Sequence, residues 1–470
     1  MARKKKIVED VEIVDFGFKG KAIGKDKAGQ VYLIDNAVPG DVVDVLVLRK
    51  KKGMLAGFPK NYKTFSPERV EAQCGHFGVC GGCAWMKISY EAQLKYKEKS
   101  VLDAMQRIGK LAFKETIPIL PSVEQVYYRN KLEFTFSDKR WITQEEAALD
   151  ITIENRDALG FHRPGAFDKI VDIDHCYLQG GISNEIRNSI RVYAKENGLS
   201  FYNITGQSGL LRTLIIRTTT LGEVMVIVTL GRKEKDQRIG LLTFLKEKFG
   251  EKITSLNYVI NTKGNDTIYD QEVICFNGQA HITEQLGETK YQIGPKSFFQ
   301  TNPKQAEKLY EIAKAFADLK STDLVYDLYT GLGSIALFLA KDVKEVVGIE
   351  EIPEAIVYAN KNAELNDLSN THFYAGDVKT LLTKDLIEKH GKPDVLITDP
   401  PRVGMHEDVV RSLIYLRIPK IVYVSCNAAT QARDLNLLKE VYSLEKIQAV
   451  DMFPHTNHVE SVALLKLLDE

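Results

Sequence analysis

Three short runs in this chain hold residue types that can do covalent chemistry. DVLITDPPR (394–402) is an apolar strand that stops at two prolines and leaves Asp399 at its carboxyl end. Proline fixes φ and has no N–H to donate, so a strand does not run past it. KIVYVSCN (420–427) is the next apolar run and brings Cys426 to the equivalent end. HTNHVESVALLKLL (455–468) offers Glu460 just before a terminal apolar strand. A lone cysteine is most often a buried, inert thiol. A thiol beside a carboxylate at the ligand-binding edge of a sheet reverses that expectation, because a thiolate there can add to an electron-poor carbon and leave again. A further carboxylate can take the proton that such a cycle releases. On spacing alone Glu460 reads as an ordinary surface carboxylate, and it enters only as a candidate base. His455 and His458 read as structural residues rather than metal ligands.

These groups need a parallel sheet to bring them together. From about residue 305 the pattern alternates helix and strand, which predicts an open, doubly wound α/β sheet. Within it, LVYDLYTGLGSIALFLA (324–340) is a strand, a glycine-rich turn and an apolar helix. Gly331 and Gly333 let the backbone turn sharply and approach a ligand. The next strand, EVVGIE (345–350), ends in Glu350, whose carboxylate can accept both hydroxyls of a ribose. Gly331, Gly333 and Ala336 also match the G-x-G-x-x-A of dinucleotide-binding turns. Two acidic strand ends favour S-adenosylmethionine instead. Asp327 precedes the turn, and Asp377 in HFYAGDV (372–378) can hydrogen-bond an adenine edge. The turn also lies late in the chain, whereas dinucleotide sites usually open a domain.

The upstream sequence reads as two further parts. Residues 11–60 alternate short β-branched runs with Gly and Pro turns, which predicts a small antiparallel barrel of OB type. Arg49-Lys50-Lys51-Lys52 stands at the end of what reads as its last apolar strand. Residues 1–63 carry 14 Lys/Arg against 8 Asp/Glu, while residues 291–470 carry 20 against 26, in a chain of zero net charge. A basic leading part on a neutral protein suits a polyanion partner. Residues 88–110 read as a helix with Leu94, Val101, Leu102, Met105 and Ile108 on one face and Lys95, Lys97, Glu98 and Lys99 mostly opposite. Residues 120–290 read as α+β.

CGHFGVCGGC (74–83) spaces Cys74, Cys80 and Cys83 as C-x5-C-x2-C, and Cys176 follows in the central region. Thiolates three residues apart in a glycine-rich loop can chelate one centre, and zinc and an iron–sulfur cluster both accept four of them. Cys275 has no partner in sequence and reads as a core residue. Six cysteines in 470 residues do not make a secreted disulfide scaffold. No apolar run is long enough to cross a bilayer, and the basic start is not followed by a signal-type apolar stretch. A cytoplasmic, monomeric protein is expected.

Taken in order, CGHFGVCGGC, IDHCYLQ (173–179), SFFQTNP (297–303), DLYTGLGS (327–334), GIE (348–350), TDPPR (398–402), SCNAAT (425–430) and HTNHVESVALL (455–465) resemble the RNA uracil-C5 methyltransferase family. The resemblance is to members with an N-terminal TRAM barrel and a 4Fe-4S cluster. It implies three parts: a TRAM-like barrel (1–63), a central iron–sulfur and RNA-binding part (64–290), and a Rossmann-like methyltransferase part (291–470). Helix 88–110 is expected to pack on the last of these. Cys426 is implied as nucleophile and Glu460 as base. Gln300, Tyr329, Gly331, Gly333, Ser334, Glu350, Asp377 and Asp399 are implied around the methyl donor, with Asp399 also near the reacting base. Cys74, Cys80, Cys83 and Cys176 are implied as cluster ligands. The chemistry fits a thiol: uracil C5 is a poor nucleophile until a thiolate adds at C6. The implied partner is RNA, most often 23S rRNA and in some relatives tRNA, with no DNA or membrane. Phe298 and Phe299 can stack on bases, with core packing expected for at least one. The sequence departs from the family at Ala428, where Pro is frequent, and at Ser334, where Asn is frequent. Rival readings are an amino-group methyltransferase with a D-P-P-Y-like turn, a nicotinamide redox protein, and a non-catalytic RNA-binding module.

Overall fold

The computed structural model describes residues 6–17, 20–51, 54–149 and 155–469. The basic residues 1–5 and Lys52 lie outside them. Five strands, β1 (Lys6–Phe16), β2 (Ala22–Lys25), β3 (Val31–Ile34), β4 (Val42–Lys51) and β5 (Met54–Thr64), close into a barrel in the order β1-β2-β3-β5-β4. Val11, Ile13, Ile34, Val43 and Val45 fill it, while Glu12 and Val14 alternate outward. Closure leaves no unpaired strand edge. The basic run ends β4 but does not end the barrel. It leads into a hairpin with β5, where Lys50 stands opposite Leu55. The lysines, proline and asparagine within β5 hide its strand character from an apolar-pattern search. The boundary expected after residue 63 falls at the very end of β5.

The predicted helix 88–110 forms as α1 (Tyr90–Ala104), capped by Ser89, and a π-turn over Met105–Gly109. Lys97 is a correction: expected on the polar face, it is fully buried. Beyond β6 (Phe113–Leu120), seven strands form the central sheet. They are β7 (Lys131–Ser137), β8 (Ala158–Arg163), β9 (Ala166–Asp172), β10 (Leu211–Thr218), β11 (Val224–Leu230), β12 (Ser255–Ile260) and β13 (Val273–Gly278), in the order β13-β12-β11-β10-β7-β8-β9. Besides the short α2 (Gln144–Ala148), helices α3 (Ser183–Glu196) and α4 (Lys235–Phe249) cover one face. On the other face Ile215, Met225, Ile227 and Val259 pack into one core with the C-terminal part. Cys275 is exposed rather than in the core, because β13 is the outermost strand and its outer face is uncovered.

The C-terminal part opens with a hairpin, β14 (Ile282–Leu286) and β15 (Thr289–Ile293), so the boundary expected at residue 291 cuts β15. Its sheet comprises β16 (Leu324–Leu328), β17 (Glu345–Glu350), β18 (Thr371–Ala375), β19 (Val395–Thr398), β20 (Lys420–Ser425), β21 (Tyr442–Val450) and β22 (Glu460–Leu467). The order is β18-β17-β16-β19-β20-β22-β21-β6, so β6 is its outermost strand. Strands β16 to β20 run parallel and are buried nearly throughout, apart from the edge strand β18. Helices α5 (Pro303–Ala317), α6 (Ser334–Leu339), α7 (Pro353–Leu365), α8 (Val378–Leu381), α9 (Lys384–His390), α10 (Glu407–Leu416) and α11 (Ala428–Leu438) flank the sheet. Helix α1 packs on this part, against α11. Chain order reverses between β16 and β19. In open α/β sheets the carboxyl ends of strands at such a reversal are where ligands bind. Among the described residues, no helix is long and apolar enough to cross a membrane.

Candidate active site

The turn after β16 is built for close approach. Tyr329, Gly331 and Gly333 all have left-handed backbone, with φ of 64°, 59° and 84°. A side chain at 333 would also meet Leu337 at 3.0 Å and Phe373 at 3.2 Å. Asp327 holds the turn from beneath. One carboxylate oxygen accepts from Thr330 Oγ1 at 2.5 Å and from Ala336 N at 3.2 Å, and the other has no partner among the described residues. Burial pushes this carboxyl up to about 7. Glu350, at the end of β17, accepts from Gly331 N and Ile352 N, each at 3.0 Å, and so sits against the turn. Ser334 opens α6 and its carbonyl accepts from the Tyr291 hydroxyl at 2.9 Å. Asp377 caps α8 by accepting from Lys379 N and pairs with the Lys379 ammonium at 3.1 Å. Gln300 lies in the segment before α5, its carbonyl held by Asn130 Nδ2 at 3.1 Å. Of the two adjacent phenylalanines, Phe299 is in the core and Phe298 is 67 % exposed.

Asp399, Cys426 and Glu460 come together on three adjacent strands. Asp399 follows β19, Cys426 follows β20, and Glu460 begins β22. β20 lies between the other two, and its antiparallel register with β22 pairs Ser425 with Ser461. One step further along that register places Cys426 across from Glu460. The thiol is half-buried, and burial with Glu460 and Asp399 nearby pushes it up to about 11. Glu460 is 3 % exposed, not a surface carboxylate. Burial and Asp399 hold it well above the usual carboxylate range. Asp399, partly open to solvent, is pushed up to about 7 by its surroundings and by Asp327. Two carboxylates beside a thiol cannot all ionise readily, which adds to burial in raising the thiol's proton affinity.

Arg402 is the counter-charge, and spacing alone does not single it out. It pulls the Cys426 thiol and Glu460 back toward ionisation. Its carbonyl accepts from Asn427 Nδ2 at 2.8 Å and Thr430 Oγ1 at 3.2 Å, which ties the D-P-P-R turn to the turn holding the thiol. Asn427 caps α11, so Ala428 starts that helix without a proline. His458 is pushed down to about 4 by burial and nearby cations, and His455 is likewise lowered, so both are neutral near pH 7.

Cys74, Cys80, Cys83 and Cys176 line one pocket, walled by Phe77, Met86, Phe161, Ile173 and Leu178. Four thiols in an apolar pocket form a donor set for a soft metal centre. No three of the sulfurs all lie within 4.8 Å of one another. A second group, Glu345, His372 and His390, does meet that spacing, at the amino ends of β17 and β18 and the end of α9. There both nitrogens of His390 are already bonded, to Glu345 and to the Tyr374 hydroxyl, each at 2.6 Å.

The chain is similar to known RNA methyltransferases. The family profile for tRNA (uracil-5-)-methyltransferase matches residues 213–467. Proteins named as uncharacterized RNA methyltransferases are 50% identical in Bacteroides thetaiotaomicron, over 96% of this chain and 99% of that one, and 39% identical in Chlorobaculum tepidum, over 98% and 96%. The crystal structure of Pyrococcus abyssi tRNA (uracil-54, C5)-methyltransferase in complex with S-adenosyl-L-homocysteine superposes with a TM-score of 0.74 at 28% identity, covering 97% of this chain and all of that one. The chain belongs to the RNA uracil-C5 methyltransferase family and is an S-adenosylmethionine-dependent RNA methyltransferase.

Proposed function

We propose that the protein transfers a methyl group from S-adenosylmethionine to C5 of a specific uridine, through a covalent bond between Cys426 and uracil C6. The observation that carries this is the edge of β19, β20 and β22, where one thiol stands between two carboxylates beside the donor turn. Gln300, Tyr329, Gly331, Gly333, Ser334, Glu350 and Asp377 would line the donor site, with Asp399 between donor and uracil. The Cys426 thiolate adds to C6, and the electron pair moves onto C5. C5 then takes the methyl group, releasing S-adenosylhomocysteine. Glu460 removes the remaining C5 proton, the C5–C6 double bond re-forms, and the thiolate leaves. The raised proton affinity of Glu460 suits a base. Arg402 offsets the charge when the thiol ionises.

The four cysteines fit a 4Fe-4S cluster. Four cysteine thiols in one apolar pocket match the ligand set of such a cluster. Cys74, Cys80, Cys83 and Cys176 would hold it. It would tie the cysteine loop to the central sheet and carry no electrons in the reaction.

The substrate we favour is 23S rRNA, in keeping with the barrel and the cysteine set. A tRNA substrate is the second reading, because the whole-length structural neighbour acts on tRNA uracil-54. Mass mapping of 5-methyluridine in 23S rRNA and tRNA, with and without the gene, decides between them. For the mechanism, Cys426→Ala should lose both methylation and covalent trapping on 5-fluorouridine RNA. Glu460→Gln should keep the covalent complex and fail to release product. Turnover surviving in either variant refutes the role given to that residue.

A further inference from the structure

Glu460 does not stand on a rigid element alone. It pairs with Val450 at the open end of a hairpin whose connection is residues 451–459, far longer than β21 and β22 need to turn back. The strand ladder fixes one side of Glu460 and leaves the connection free. Side contacts take up that freedom.

Four consecutive carbonyls of the connection are each held by a different part of the molecule. Met452 O accepts from Asn302 Nδ2 at 3.0 Å, and Phe453 O from Lys97 Nζ at 3.0 Å. Pro454 O accepts from the Tyr128 hydroxyl at 2.9 Å, and His455 O from the N–H groups of Ala84 and Trp85, both at 2.9 Å. Helix α1 contributes most. The Lys97 ammonium pairs with Asp451 at 2.6 Å, both side chains fully buried. Gln93, also buried, accepts from His455 N at 2.7 Å and donates to His455 Nδ1 at 3.3 Å. His455 has left-handed backbone, φ 65°, which a residue with a side chain rarely adopts. Such a conformation persists only where the surroundings over-determine it.

We propose that Gln93 and Lys97 are positioning residues for Glu460, setting through residues 451–455 where that carboxylate stands when the C5 proton leaves. This rests on Glu460 being the base. A carboxylate displaced by an ångström would still allow the thiol to add and the methyl group to transfer. It would slow the proton abstraction that frees the product. The step affected is therefore the last one, and covalent protein–RNA complex should build up.

The test uses ordinary uridine RNA and the full-length protein. Gln93→Leu is the mild variant, and Lys97→Met combined with Asp451→Leu removes both buried charges together, so that neither is left unpaired. Thermal melting shows which variants are folded. In a folded variant, kcat should fall about ten- to a hundredfold, with KM for RNA falling in step so that kcat/KM is held. Denaturing gels should show covalent complex accumulating, as in Glu460→Gln. Unchanged kcat in Gln93→Leu overturns the proposal, as does turnover falling together with covalent complex. If Glu460→Gln itself holds no covalent complex, the assignment of the base fails, and with it the role given to α1.

Discussion

Alkylation of Cys426 reads the electrostatics of the site with no RNA present. Its thiol is pushed up to about 11 by burial, Glu460 and Asp399, with Arg402 opposing. At pH 7.5 such a thiol is ionised in roughly one molecule in 3,000, against about one in ten for an ordinary thiol near 8.5. A more basic thiolate is intrinsically more nucleophilic, which recovers about a factor of ten. Iodoacetamide should therefore label Cys426 roughly 30-fold more slowly than an ordinary thiol at pH 7.5, and the rate should rise about tenfold per pH unit up to pH 10. Cys275 is exposed but its own thiol is raised by partial burial, so an added free-cysteine peptide serves as the reference when peptides are counted by mass spectrometry. Glu460→Gln removes a group that raises the thiol; a drop of about one pKa unit would speed labelling at pH 9 roughly threefold, a tenfold gain in thiolate less its lower nucleophilicity. Arg402→Met should slow it. Labelling of Cys426 with a midpoint near 8.5, or indifference to Glu460→Gln, would mean that the carboxylates do not surround the thiol, and the covalent mechanism would lose its footing.

Asp327 gives a stability test. Its folded value of about 7 lies above the ordinary 3.8, so the native state holds a proton that the unfolded chain has lost. Stability is then fully present below about pH 4 and falls as pH rises toward 7, by roughly 4 kcal/mol for three units. Asp327→Asn should flatten that fall in a melting series from pH 4 to 8, and an unchanged slope refutes the assignment. Gly333→Ala forces left-handed backbone on a side chain already short of space. It should cost about 1–2 kcal/mol of stability and raise the Kd for S-adenosylhomocysteine roughly tenfold by calorimetry. Wild-type affinity would show that the turn does not carry the donor. Phe298→Ala should raise KM for RNA about tenfold, the worth of one base stack, and leave donor affinity alone. A change in donor affinity instead would move Phe298 into the donor pocket.

Much of the site was legible because parallel strands announce where they stop. An apolar run that meets Pro400 or the Gly-rich turn ends there, and the residue at that point lies on the ligand edge. Asp399, Cys426 and Glu350 follow from that rule, and the register of β16, β17, β19 and β20 matches it. Glu460 did not follow, because its burial comes from antiparallel pairing with both β20 and β21. Cys275 misleads for the opposite reason: its run VICF looks like core, yet the strand ends up outermost with one face bare. β5 was hidden by its own polar residues, since only one face of a small barrel strand needs to be apolar.

Lys97 shows the deeper limit. Helical periodicity sorts residues by whether each would be content in water, and judged alone both Lys97 and Asp451 belong at the surface. They are buried together, separated by 354 positions in the chain, and each makes the other's burial tolerable. A lone buried charge costs several kcal/mol, while a hydrogen-bonded pair costs far less. Burial here is a property of the pair, so a pattern that scores residues one at a time misses it. The same holds for Gln93 and His455. Residues held by partners far along the chain are legible only once the fold has named those partners, whereas Asp399 and Cys426 were legible from the ends of their own strands.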